Sequence, residues 1–255
     1  MLTESTSGLP PVRRADIILV AVFVALVALA FLLPAISQDP RYHAFADQRT
    51  WEGVPFAANV LSNLAFVAVG IFGAIVLWSR RRVELTHAAD ISLVCVALGF
   101  FLTGAGSAWY HAQPNDATLV WDRLPMTLVL AGIIAAAIAV RVGNALAVIA
   151  LPVLLSVGII SVLYWRASGN LSPYAVFQFG GIAALIGLLL ATRSERDPFA
   201  WGWIIGWYCF AKAAEVADQN VWRWSGEVVA GHTIKHLAAA AAGAAMFYSL
   251  RARSH

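Results

Sequence analysis

Eight apolar stretches, separated by short polar loops, run over roughly 17–36, 57–78, 90–111, 120–141, 145–165, 171–192, 199–218 and 230–250. A helix needs about 20 mostly apolar residues to cross the hydrocarbon core of a bilayer. In lipid, every backbone N–H and C=O must also find its partner inside the structure, which leaves helices and closed barrels as spanning elements. Segments of this length predict an all-α fold, a polytopic membrane helix bundle. Composition agrees: 60% of residues are apolar, 12% are charged and the mean hydropathy is +0.75, whereas soluble domains carry about 25% charged residues. Trp51, Trp78, Trp109, Trp121, Trp165, Trp201, Trp222 and Trp224 fall near the ends of the stretches, where indole rings prefer the headgroup layer.

The net charge of +3 does not point to nucleic acid, because the arginines sit in the short loops and no basic stripe or Gly-rich phosphate loop is present. With the N-terminus inside, inner segments hold ten arginines (Arg13, Arg14, Arg80, Arg81, Arg82, Arg141, Arg193, Arg196, Arg251 and Arg253) and outer segments four (Arg41, Arg49, Arg166 and Arg223). Positive charge marks the cytoplasmic side, so both termini are expected there. The preference for Arg over Lys, with abundant Ala, is that of a GC-rich bacterial genome and places the chain in an inner membrane. The first stretch has two readings: a spanning helix, which its length favours, or a signal peptide ending at Ala35-Ile36-Ser37. Cys95 and Cys209 both lie in apolar stretches and form neither a disulfide framework nor a metal motif. Gly202 and Gly206 form a GxxxG packing signal, and the oligomeric state is left open.

Ionisable side chains inside a membrane cost several kcal/mol and mark function. His43, His87 and His255 fall in loops or at the terminus, but His111, His232 and His236 fall within or at the edge of spans. Helix three rises to the outer side and ends at His111. Helix four returns, placing Asp122 near its first turn, and helix eight also starts outside with His232 and His236. Spacing i, i+4 stacks the last two rings on one helix face. Three imidazoles can hold one zinc ion at about 2.0–2.1 Å and leave a fourth position for water, so a metal site toward the periplasmic side is expected. Ser107 lies one turn below His111; it either bonds the carbonyl one turn back or faces the site. Lys212, Glu215 and Asp218, at i, i+3, i+6, together with Lys235, read as an ion-pair network fixing the last two helices, with Arg123 as a possible member.

The runs Gly106-Ser107-Ala108-Trp109-Tyr110-His111, Trp121-Asp122-Arg123-Leu124-Pro125-Met126 and Gly231-His232-Thr233-Ile234-Lys235-His236 resemble the alkaline ceramidase family, within the seven-helix membrane hydrolase group that includes adiponectin receptors. Asn59, Ser62 and Asn63 resemble its first core helix. The resemblance covers roughly 50–250 and implies a seven-helix hydrolase core over 46–255, preceded by an N-terminal tail and an extra helix over 1–45. It implies that His111, His232 and His236 hold zinc, that Asp122 and Ser107 are catalytic, and that the substrate is ceramide or a similar lipid amide entering from the bilayer. The eukaryotic members' calcium site uses an acidic segment before the first core helix; here only Trp51-Glu52 matches it, and Phe56 replaces a Glu, which puts calcium in doubt. Two other classes remain: a zinc-stabilised receptor or scaffold without turnover, and a transporter with a charge relay through Lys212, Glu215 and Asp218.

Overall fold

The structure, a computed structural model, describes residues 14–79 and 85–252. Arg13, Arg80, Arg81, Arg82, Arg253 and His255 lie outside the described residues. The chain is helical throughout, without a named strand among the described residues. Its helices are α1 (Arg14–Leu32), α2 (Ala57–Ser79), α3 (His87–Ala112), α4 (Asp116–Arg141), α5 (Asn144–Ser168), α6 (Ser172–Ala191), α7 (Trp201–Val216), α8 (Asp218–Trp224) and α9 (Gly231–Ala252). All eight apolar stretches fall on helices, and α2 to α6 are each long and apolar enough to cross a membrane. The protein is thus an integral membrane helix bundle. Three stretches fall outside that set, and in α1 the described apolar helix is the shorter Val20–Ala30. The α7 helix has only 16 residues, because the backbone turns out of helical geometry at Ala217 and α8 starts afresh. The α9 helix has 22 but carries His232, Lys235, His236 and Arg251 among them.

Helix ends follow from side chains that satisfy the exposed backbone N–H groups of a first turn. Thr86 caps α3 by accepting from the Ala89 N–H. Asn115 caps α4 by accepting from Ala117 and Thr118 at 2.9 and 3.0 Å, and Asp116 follows in the first turn, favoured by the helix dipole. This cap starts α4 earlier than the sequence suggested. Asp122 therefore sits in its second turn rather than its first, one turn before Pro125.

The α3–α4 seam sets the geometry of the functional end. Pro125 has no N–H to bond the carbonyl of Trp121. A Cβ on Gly106 would run into that same Trp121 carbonyl oxygen, so only glycine lets the two backbones close here. Ser107 and Asp122, the next residue on each helix, are thereby held opposite each other.

At the far end of the bundle, the Arg141 guanidinium donates to the Asp197 carboxylate at 2.6 Å and to the Leu189 and Thr192 carbonyls. Trp201 Nε1 donates to Asp197 as well, at 2.6 Å. Between the two ends lies the main apolar core, built around Phe66, Leu93, Val96, Phe100 and Phe247. The α1 helix packs outside this core against α6, where Leu26 fills the space beside Gly180. The strand-like stretch after α1 is bonded to the α5–α6 loop by Leu171 N–H to the Ile36 carbonyl and by Ser172 Oγ to the Pro34 carbonyl, both at 2.7 Å.

Candidate metal centre

The end of α3 and the first turns of α9 bring His111, His232 and His236 together. Their candidate ligand atoms all lie within 4.8 Å of one another, and all three residues are buried. Ring centroids are 4.8 to 4.9 Å apart in each pair. His111 Nε2 and His232 Nε2 face each other at 3.3 Å. Three uncharged nitrogen donors converging inside a bundle are the donor set of a borderline-soft divalent cation.

The surroundings orient the rings. Ser62 Oγ donates to the Asn59 carbonyl at 3.0 Å, so at 2.8 Å from His236 Nδ1 it can only accept. The proton of His236 is thus assigned to Nδ1, and Nε2 keeps its lone pair for the centre. Asn59 is itself fixed, since its Oδ1 accepts from the Thr233 hydroxyl at 2.9 Å and its carbonyl accepts from Asn63 Nδ2 at 2.7 Å. The start of α9 is fixed by Asp218, whose Oδ1 accepts the His232 N–H at 2.7 Å while Oδ2 accepts the Ala46 N–H at 2.9 Å. A Cβ on Gly231 would strike the Ala214 carbonyl, so the close α7–α9 approach also requires glycine.

Through Ala46, Asp218 also anchors the loop before α2, which inserts Phe45 over the centre. The Phe45 ring lies 4.6 Å from both the His111 and the His232 rings and is 2% exposed. A second anchor is Arg49, which donates to the Asp47 carboxylate and to the Val228 carbonyl and stacks 4.6 Å over Trp222. Burial pushes the Asp47 carboxyl up, but the Arg49 hydrogen bonds outweigh that and hold it below the usual carboxylate range. A guanidinium thus already neutralises Asp47, one of the acidic side chains preceding α2.

Beneath the histidines opens a cavity lined by α2, α3, α4, α6, α7 and α9. Its polar end holds Ser107, Asp122, Lys235 and His236, and its walls further in are apolar, with Phe100, Leu130, Ile133, Leu185 and Ile204 among them. Ser107 and Asp122 line that end side by side. From Asp122 to Ile133 the helix rises roughly 16 Å at 1.5 Å per residue, about half the ~30 Å hydrocarbon thickness.

The charged network differs from the one read in the sequence. Glu215 accepts from Lys212 through one carboxylate oxygen and forms an ion pair with Lys235 through the other, each at 2.7 Å, but Asp218 stands apart as the cap just described. Arg123 points away from it, donating to Gln38 Oε1 at 2.6 Å and lying 4.2 to 5.5 Å over the rings of Trp165, Tyr174 and Tyr42. Phe45 and Ser62 carried no role in the sequence reading. Ser62, with Asn59 and Asn63, was detectable as a polar group within an apolar stretch; Phe45, an aromatic in a loop, gave no signal.

In comparison with known families, a sequence model described as Ceramidase matches residues 54–250. No curated protein matches the chain.

Proposed function

The chain belongs to the ceramidase family, and from that premise we propose that it is a zinc-dependent intramembrane amide hydrolase that cleaves ceramide or a similar N-acyl lipid into a fatty acid and a sphingoid base or amine. The observation that carries this reading is a cluster of three buried imidazoles, one of which, His236, lines with Asp122 and Ser107 the polar end of a cavity whose walls beyond are apolar. His111, His232 and His236 would hold a zinc ion, which would supply Lewis-acid activation of water and of the amide carbonyl. Asp122 takes a proton from the attacking water and passes it to the nitrogen as the C–N bond breaks. Ser107 lies beside it across the close α3–α4 seam before substrate arrives. The Ser107 hydroxyl then turns to donate to the carbonyl oxygen as negative charge gathers there. The apolar walls accept the acyl chain, and Phe45 shields the histidines from the aqueous side. The protein sits in a bacterial inner membrane with both termini in the cytoplasm and the centre toward the periplasm, as the arginine distribution supports.

Asp122→Asn keeps the shape and removes the base. Its turnover of a short-chain fluorescent ceramide is expected to fall by about 10²–10⁴-fold with zinc content unchanged, and Ser107→Ala should lose less. Wild-type turnover in a zinc-loaded Asp122→Asn protein would remove Asp122 from the mechanism.

A further inference from the structure

Lys235 lies between two of the histidines on α9, and its side chain turns into the cavity rather than away from it. It lines the polar end together with Ser107, Asp122 and His236, and its Nζ lies 3.4 Å from His232 Nε2, the nitrogen that faces His111 across the centre. The ion pair with Glu215 has an obvious structural reading, since it joins α7 to α9. That seam, however, is already closed by the approach of Gly231 to Ala214 and by the Asp218 carboxylate on the His232 N–H. Glu215 is also shared with Lys212, so two ammonium groups face one carboxylate. Within this trio one positive charge is left over, and of the two lysines Lys235 is the one at the cavity wall, beside the Asp122 carboxylate.

Building on the hydrolase reading above, we propose that Lys235 is a further catalytic residue, whose ammonium donates a hydrogen bond to the carbonyl oxygen of the bound amide and afterwards to the carboxylate of the released acyl chain. The oxygen of water bonds to the carbonyl carbon, the C–N bond breaks, and the nitrogen leaves with the proton carried by Asp122. Lys235 ends with the protons it began with. It acts as a fixed positive charge beside an oxygen that turns from neutral to anionic. Such preorganised donors favour the transition state over the ground state. Glu215 and Lys212 hold that charge in place, so that it needs no reorientation during the reaction. The substrate class follows: the cavity is built for a chain ending in an amide or carboxylate, and it discriminates against the same chain ending in an alcohol.

The test has two arms. In the zinc-loaded enzyme, Lys235→Met should lower kcat by about 10²-fold, the scale of a lost oxyanion donor, with KM and zinc content little changed, and Lys235→Arg should recover part of the loss. In zinc-free protein, tetradecanoate and tetradecanol are compared by calorimetry. Wild type should bind the carboxylate at least tenfold more tightly than the alcohol, and Lys235→Met should abolish that preference without weakening tetradecanol. Equal affinities in wild type, or an unchanged preference in Lys235→Met, overturn the proposal. Should Lys235→Met fail to fold, the wild-type comparison alone still decides. A wild-type enzyme that hydrolyses no N-acyl lipid would sink the hydrolase reading but leave the binding arm to judge Lys235.

Discussion

At the residue scale, the orientation of the His236 ring rests on side chains outside the three histidines. Ser62 is the clearest case, because its hydroxyl proton is committed to Asn59 and its oxygen must therefore accept from His236. Ser62→Ala removes that acceptor and leaves His236 free to take either tautomer. Zinc affinity, measured by competition with a chromophoric chelator, is expected to fall about 10–100-fold, as for other residues that support metal ligands, while the helical content stays the same. An unchanged affinity would show that Ser62 does not set the ring. The histidines themselves were legible in the sequence, since an ionisable group within an apolar stretch is unusual by cost alone. Arg123 was misread because adjacency in sequence is not adjacency in space. Neighbouring helical residues point about 100° apart, so while Asp122 faces the cavity, Arg123 faces the aromatic rings of Tyr42, Trp165 and Tyr174.

At the element scale, hydropathy located the helices but not their breaks. The i, i+3, i+6 spacing of Lys212, Glu215 and Asp218 places them on one face only if the helix is continuous. Ala217, at φ −89° and ψ 14°, ends it, and Asp218 becomes the first residue of α8 and a cap for α9. The same limitation applies to Asp122, whose turn depends on where Asn115 begins the helix. Close approach was equally hidden, because nothing in the apolar pattern marks Gly106 and Gly231 apart from the other glycines. What the pattern did encode is the order of the helices. Reporter fusions placed after Arg82 and at His255 are expected to read cytoplasmic in both cases, given ten inner against four outer arginines. A periplasmic signal at either position would reverse or break the proposed topology.

At the scale of the whole molecule, two ends of one bundle do different work. The far end is tied by Arg141, Asp197 and Trp201. The other end gathers its polar groups from helices remote in sequence: Ser62 from α2, Ser107 and His111 from α3, Asp122 from α4, Glu215 from α7, and His232, Lys235 and His236 from α9. Such a convergence makes the centre depend on the whole bundle rather than on any one segment. On the proposed reading, the apolar cavity below it is where an acyl chain lies while its amide meets the polar groups. The central claim, that this protein hydrolyses a lipid amide with a resident zinc, is tested most directly by stripping and restoring the metal. Purified protein should release fatty acid from an N-acyl sphingoid base, fall to background when zinc is removed, and regain its rate with about one equivalent of zinc per chain. Release that persists undiminished in the metal-free protein, or no release from any N-acyl lipid by the zinc-loaded protein, would contradict it.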